Sequence, residues 1–170
     1  RIVIPLEYTR VELFDNGLSA VMKDDIWGIF DITGRQLTPL MYDRVDFFYN
    51  GYAKVHKDRK VGVVDAAGRE VIPPAYDNIS WDDGRSSDNR FRSFHDGRAR
   101  VSLGYKYGIM DTAGNIVVPL IYSFIGPFHD GRACVSKHNN YRSKCGFIDT
   151  TGQEVIPLIY DGAMDFEKGR

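Results

Sequence analysis

The chain repeats itself, and that repetition limits its fold more than any other feature. Prolines in a VIP-like segment, Pro5, Pro39, Pro73, Pro119 and Pro157, are separated by 34, 34, 46 and 38 residues. The glycines of an F-x-x-G segment, Gly17, Gly51, Gly97, Gly131 and Gly169, step by 34, 46, 34 and 38. Both series describe a 34-residue period with two insertions, one of about twelve residues (the excess of 46 over 34) and one of about four (38 over 34). The longer insertion falls between Tyr76 and Phe94, around DDGRSSDNRFRS, and the shorter between Val135 and Cys145, within SKHNNYRSK. A unit this short cannot bury its apolar face alone, so neighbouring copies must cover one another.

Aligned on the period, each unit reads as an apolar pair, Pro, two residues, Tyr and often Asp. There follow F-x-x-G, a small-x-Val segment, a polar turn, a residue-Gly-apolar-apolar-Asp segment, and x-x-Gly. The last part reads WGIFDITG (27–34), VGVVDAAG (61–68), YGIMDTAG (107–114) and CGFIDTTG (145–152). The first part reads VIPLEY (3–8), LTPLMYD (37–43), VIPPAYD (71–77), VVPLIY (117–122) and VIPLIYD (155–161). In D-x-x-G, the carboxylates of Asp31, Asp65, Asp111 and Asp149 are placed to accept hydrogen bonds from amides two residues on. Gly34, Gly68, Gly114 and Gly152 then supply the positive φ that closes a bulged hairpin. Runs such as GVV and GIM are apolar on both faces, as an internal strand requires.

Proline cannot donate to a strand ladder, so each VIP segment must end a strand or lie at a sheet edge. Tyr8, Tyr42, Tyr76, Tyr122 and Tyr160 are then turned back onto the core. Ala53 to Val55, Ala99 to Val101 and Ala133 to Val135 form another short strand, with Ser19 to Val21 as its looser copy. Apolar residues nowhere hold helical spacing over three turns, so almost no helix is expected. The expected fold is all-β: tandem β-meander repeats of about 34 residues stacked as an open twisted array or solenoid, with a propeller-like ring of short blades as the alternative. One repeat domain over 1–170 divides into units 1–34, 35–68, 69–114 and 115–152 and a partial unit 153–170.

The combination W-G-x-x-D-x-x-G, V-I-P-x-x-Y-D and F-x-x-G-x-A-x-V resembles the bacterial WG-repeat, or KWG-repeat, family over essentially the whole chain. Trp27 alone keeps the eponymous tryptophan, and Val61, Tyr107 and Cys145 stand in its slot. The resemblance implies a β-rich array and brings no catalytic residue with it. Because the chain starts at a VIP segment and stops after an F-x-x-G segment, both mid-unit, continuation in both directions is expected.

Charge points to no partner class across the whole surface, since 22 Lys and Arg nearly cancel 23 Asp and Glu, so no nucleic-acid partner is expected. Apolar runs fall short of the roughly 18 residues of a membrane span. Cys134 and Cys145 are too few for a disulfide framework, and the compartment stays open.

Catalysis needs acid, base or nucleophile in one place. Here the recurring aspartates are explained by turns and stand one unit apart, whereas calcium takes about six to eight oxygens from one short loop. His95 and His129 share a turn slot, His56 follows a strand, and His138 lies in the second insertion. None has ligand spacing, and Ser86, Ser87 and Ser93 lie in no G-x-S-x-G elbow. The chain therefore reads as a non-enzyme without cofactor or metal.

Function in repeat arrays resides where the period breaks. The first insertion brings Trp81, Arg85, Arg90, Phe91 and Arg92, residue types that dominate protein interfaces, with Arg98 and Arg100 on the following strand. The second brings Lys137, His138, Tyr141, Arg142 and Lys144. The expected function is a binding or scaffold module with a protein partner. The alternative is carbohydrate or cell-wall binding by repeated aromatics, which requires that Tyr42, Tyr76, Tyr122 and Tyr160 be exposed.

Overall fold

The computed structural model describes residues 7–14, 17–80, 97–139 and 142–163, and every described element is a strand or a turn. Two compact units divide the chain, residues 1–79 and 80–170. In the first, β1 (Arg10–Leu13), β2 (Leu18–Lys23) and β3 (Ile26–Asp31) form a three-stranded sheet, and single bridges from Phe30 to Gln36 and from Trp27 to Tyr42 add an irregular fourth edge. Next come β4 (Arg44–Val45), β5 (Tyr52–Lys57), β6 (Lys60–Asp65) and β7 (Glu70–Tyr76), paired in that order. In the third sheet β8 (Asn78–Ser80), β9 (Arg98–Leu103), β10 (Lys106–Asp111) and β11 (Ile116–Tyr122) pair in sequence. The fourth consists of β12 (Phe124–His129), β13 (Arg132–Asn139), β14 (Arg142–Asp149) and β15 (Glu154–Tyr160). The four sheets are antiparallel and open, each with two edges. Each sheet starts just after a Tyr of the VIP segment and closes at the next one, so the sheets keep the 34-residue period in a different phase from units counted at D-x-x-G.

Turn chemistry works as the residues dictate. Asp31 Oδ1 accepts from the amides of Thr33 and Arg35 at 2.9 and 3.0 Å, and Asp65, Asp111 and Asp149 repeat the pattern two and four residues on. The glycines that close these turns have φ of 85°, 79°, 81° and 86°. Two-residue hairpins join the middle strands through Asp24-Asp25, Asp58-Arg59 and Gly104-Tyr105, all at positive φ as a type I′ turn needs. The shorter insertion lengthens the corresponding hairpin: β13 and β14 have 8 residues each, against 6 each for β5 and β6, and pairing continues to Asn139 and Arg142.

Three of the VIP prolines lie within the last strand of their sheets, whereas Pro39 lies in the irregular segment that follows β3. Pro73, Pro119 and Pro157 sit in β7, β11 and β15, which are edges, and the register beside them slips at a bulge. That bulged backbone comes down on the neighbouring strand. A Cβ on Gly62 would stand 2.6 Å from the Ile72 carbonyl oxygen, on Gly108 2.6 Å from that of Val118, and on Gly146 2.5 Å from that of Ile156. The glycine of the W-G pair is thus a close-approach residue, a role its slot alone did not reveal.

Sheets pack face to face within each unit. In the first, Trp27, Ile29 and Tyr42 share a buried cluster with Val45, Ala53, Val55 and Val64. In the second, Ile109, Val118 and Tyr122 do so with Ile125, Ala133, Val135 and Ile148. The D-x-x-G turn of one sheet rests on the VIP segment of the sheet before: a Cβ on Gly68 would meet Leu37 at 2.8 Å, and one on Gly152 the Val117 carbonyl at 2.9 Å. Tyr42 and Tyr122 are 1% and 2% exposed, and the Tyr42 hydroxyl donates to Glu70 at 2.9 Å. Tyr8 and Tyr76 are half-buried, and Tyr160 departs from the expected burial at 50% exposed.

Two outcomes follow for stability. Gly62→Ala forces a side-chain atom against backbone that cannot yield, and should lower the unfolding free energy by about 2–3 kcal/mol in urea titrations. Hydrogen bonds from the Thr33 hydroxyl and from nearby amides hold the Asp31 carboxyl at about 2, below its ordinary 3.8. Asp111 and Asp149 are lowered likewise, led by Asn115 and the Thr151 hydroxyl, and at Asp65 burial opposes but Arg69 prevails. Folded-state values below the unfolded value mean that this stabilisation is complete above about pH 4 and is lost as pH falls toward 2. Urea midpoints should therefore drop over that window, and replacing all four aspartates by asparagine should flatten the drop.

Candidate functional site

Among the recurring polar residues, the four turn aspartates are occupied by their own turns. On both oxygens Asp31 and Asp65 are engaged, Oδ2 taking Arg35 and Arg69 at 3.0 and 2.7 Å. Among the described residues no group of three or more His, Cys, Asp or Glu is placed to hold a metal ion.

A cluster of charged residues lies on β4, the residue that follows it and β5. Asp46 accepts from His56 Nε2 at 3.3 Å and lies 2.5 Å from Arg44 Nη2, close in distance but not aligned as a hydrogen bond. Burial works to raise the Asp46 carboxyl, yet His56 and Arg44 hold it below its ordinary value. Beside it, burial pushes the Lys54 ammonium down to about 8, against the pull of Asp46 and with the push of Arg44. One carboxylate here faces three basic groups on a half-buried face.

Exposed apolar residues occur near the F-x-x-G segments of the first unit. Leu13, Ile32 and Phe47 are 76%, 73% and 70% exposed. Buried Phe14 meets Phe47 edge-on at 5.6 Å and Phe48 at 5.4 Å, and a Cβ on Gly17 would lie 4.0 Å from that of Ile32. The chain leaves β1 at Leu13 and loops past β4 at Phe47, so these side chains stand out beside the core aromatics that anchor the turns. Sequence reasoning passed over them because it looked for function in the insertions. A signal was present: the residue before the F-x-x-G phenylalanine is Leu13 and Phe47 in two copies but Ser93, Pro127 and Asp165 in the others.

Trp81, Arg85, Arg90, Phe91 and Arg92 lie outside the described residues. Arg98 pairs with Asp111 across β9 and β10, and Arg100 donates to the Ile125 carbonyl at 2.7 Å, so the second of these arginines is tied to β12. In the second insertion, Lys137 reaches Glu154 at 3.1 Å and lies 4.9 Å from the centre of the Tyr122 ring, while Lys144 reaches Asp161 at 2.6 Å. His138 and Arg142 are exposed. His129 is not an exposed turn residue but the half-buried end of β12, opposite Arg132. Cys134 and Cys145 are both thiols, facing Phe147 and Ser136 across the hairpin. No described helix is long and apolar enough to cross a membrane.

No curated protein matches the chain. A solved structure described as a crystal structure of the eukaryotic initiation factor is similar to it with a TM-score of 0.46 and 12% identity, over 91% of this chain and 44% of that one, a likeness too slight to carry an argument. The family described as WG containing repeat matches residues 1–25, 27–60, 62–86, 107–141 and 146–170. With matches over most of its length, and with the glycine, aspartate and proline slots each given a physical task in the sheets, the chain belongs to the WG-repeat family.

Proposed function

We propose that this chain is a non-catalytic binding or scaffold module that engages a protein partner. The observation that carries the reading is the exposure of Leu13, Ile32 and Phe47 in the first unit, where the recurring Asp31 is already occupied by its own turn. Large apolar side chains at 70% exposure or more cost free energy in water and are retained where a partner covers them. Phe47 is held by Phe14 underneath, so it reaches a partner with little conformational freedom left to lose. Trp81, Arg85, Arg90, Phe91 and Arg92 provide a second contact region of the type that anchors interfaces.

Carbohydrate binding by the recurring tyrosines has less support, because Tyr42 and Tyr122 are closed into the core and leave no repeated platform. Affinity capture with the intact chain, with Phe47→Ser and with residues 82–93 deleted tests both regions. At least one variant should lose a partner that the intact chain retains in direct binding with purified components. Identical partner lists for all three proteins would count against the reading, and retention on polysaccharide resin would favour the alternative.

A further inference from the structure

One ion pair recurs between the last two strands of a sheet, and the third sheet holds only half of it. Lys60, which opens β6, donates to Asp77 just past β7 at 2.5 Å, and Lys144 of β14 donates to Asp161 just past β15 at 2.6 Å. Both pairs lie one step beyond a shared register, Val61 opposite Tyr76 and Cys145 opposite Tyr160. In the third sheet Tyr107 faces Tyr122 in that register, so Lys106 holds the place of Lys60 and Lys144, but Ser123 stands where the aspartate belongs. The Ser123 hydroxyl is engaged with β13, 3.1 Å from the Ser136 carbonyl and 3.0 Å from the Ser136 hydroxyl. Among the described residues no carboxylate pairs with Lys106. The first sheet lacks the other half: Ile26 stands in the lysine slot, and Asp43 accepts instead from the Asp58 amide at 2.8 Å.

The same end of the third sheet is apolar where its counterparts are polar. Leu103 lies opposite Lys106 and is 44% exposed, whereas Lys23 and Lys57 hold its place in β2 and β5. The two-residue turn is Gly104-Tyr105, against Asp24-Asp25 and Asp58-Arg59. Tyr105 has a φ of 63°, a region that disfavours bulky side chains, and is 93% exposed, so neither the turn nor the core requires an aromatic there. Ile121, 43% exposed, precedes Tyr122 on β11. Charge complementarity names the occupant, because the lysine of this slot takes a carboxylate in the second and fourth sheets. We propose that Leu103, Tyr105, Lys106 and Ile121 form a docking site for a protein segment carrying an Asp or Glu flanked by large apolar residues. That side chain supplies the carboxylate that Ser123 does not, and its neighbours cover the exposed apolar surface. The site rests on the reading of the chain as a protein-binding module, and on neither contact region assigned above.

An array of short synthetic peptides that set Asp, Glu, phosphoserine, Gln or Lys among Leu, Ile and Phe, probed with the intact chain, reads this directly. Signal is expected on the Asp and Glu peptides. Against the best of these, Lys106→Gln and Ser123→Asp, the second restoring the internal acid, should each weaken binding about fivefold, with unchanged circular dichroism. Lys106→Glu should move the preference from acidic to lysine-bearing peptides, a reversal that stays readable if another variant folds poorly. Arg59→Ser, at the turn position of Tyr105 in the second sheet, should bind as the intact chain does. No binding to any acidic peptide, a preference for phosphoserine, or equal binding by Lys106→Gln and the intact chain would each overturn the inference. So would sedimentation in which the intact chain associates with itself through Lys106. Binding lost in Phe47→Ser but kept in Lys106→Gln would overturn it while leaving the protein-binding reading in place.

Discussion

Backbone against backbone, with no room for a side chain between, is the contact on which the rest of this protein depends. In three of the four sheets the last strand bulges at its proline and settles onto the glycine of the preceding strand, within 2.5–2.6 Å of where a Cβ would stand. In the first sheet the same approach is looser, 3.1 Å from Gly28 to the carbonyls of Thr38 and Pro39. Because the strand lies this low, its tyrosine turns inward and its aliphatic residues reach the next sheet. Glycine is therefore the residue the slot cannot exchange, whereas the aromatic beside it can become Val61, Tyr107 or Cys145 without loss of the strand.

The turns solve a different problem. Each D-x-x-G connection must reverse the chain within a few residues while its outer face stays in water, and one carboxylate accepting two amides does this locally. The second carboxylate oxygen then accepts from the side chain four positions on, Arg35, Arg69 or the Asn115 amide. The glycine that ends the turn also lies on the preceding sheet, as Gly68 does on Leu37, so local turn geometry and packing between sheets meet in one residue. Recurring polar residues thus belong to architecture, and what distinguishes one copy from another lies in positions free to vary, such as Leu13 and Phe47.

Much of this was legible in the residues. Period, strand content, the edge position of the prolines, the positive φ of the turn glycines and the location of the shorter insertion all follow from local rules, because each concerns a few neighbouring residues and one hydrogen-bonding requirement. The candidate contact surface was less legible. Phe47 and Phe48 are adjacent and identical in type, yet one is 70% exposed and the other packs against the core. Likewise Arg100 read as part of a basic cluster, but its guanidinium serves a carbonyl of β12.

By itself, then, the sequence determined a tandem all-β array and assigned Asp, Gly, Pro and Tyr to turns, edges and core, since hydrogen-bonding capacity and backbone freedom are properties of the residues themselves. Only the tertiary structure decided why the glycine after the tryptophan slot cannot carry a side chain, and which tyrosines are buried. Burial depends on whether another sheet lies over the face. The same Tyr, in the same local pattern, is closed in at Tyr42 and Tyr122 and half open at Tyr160.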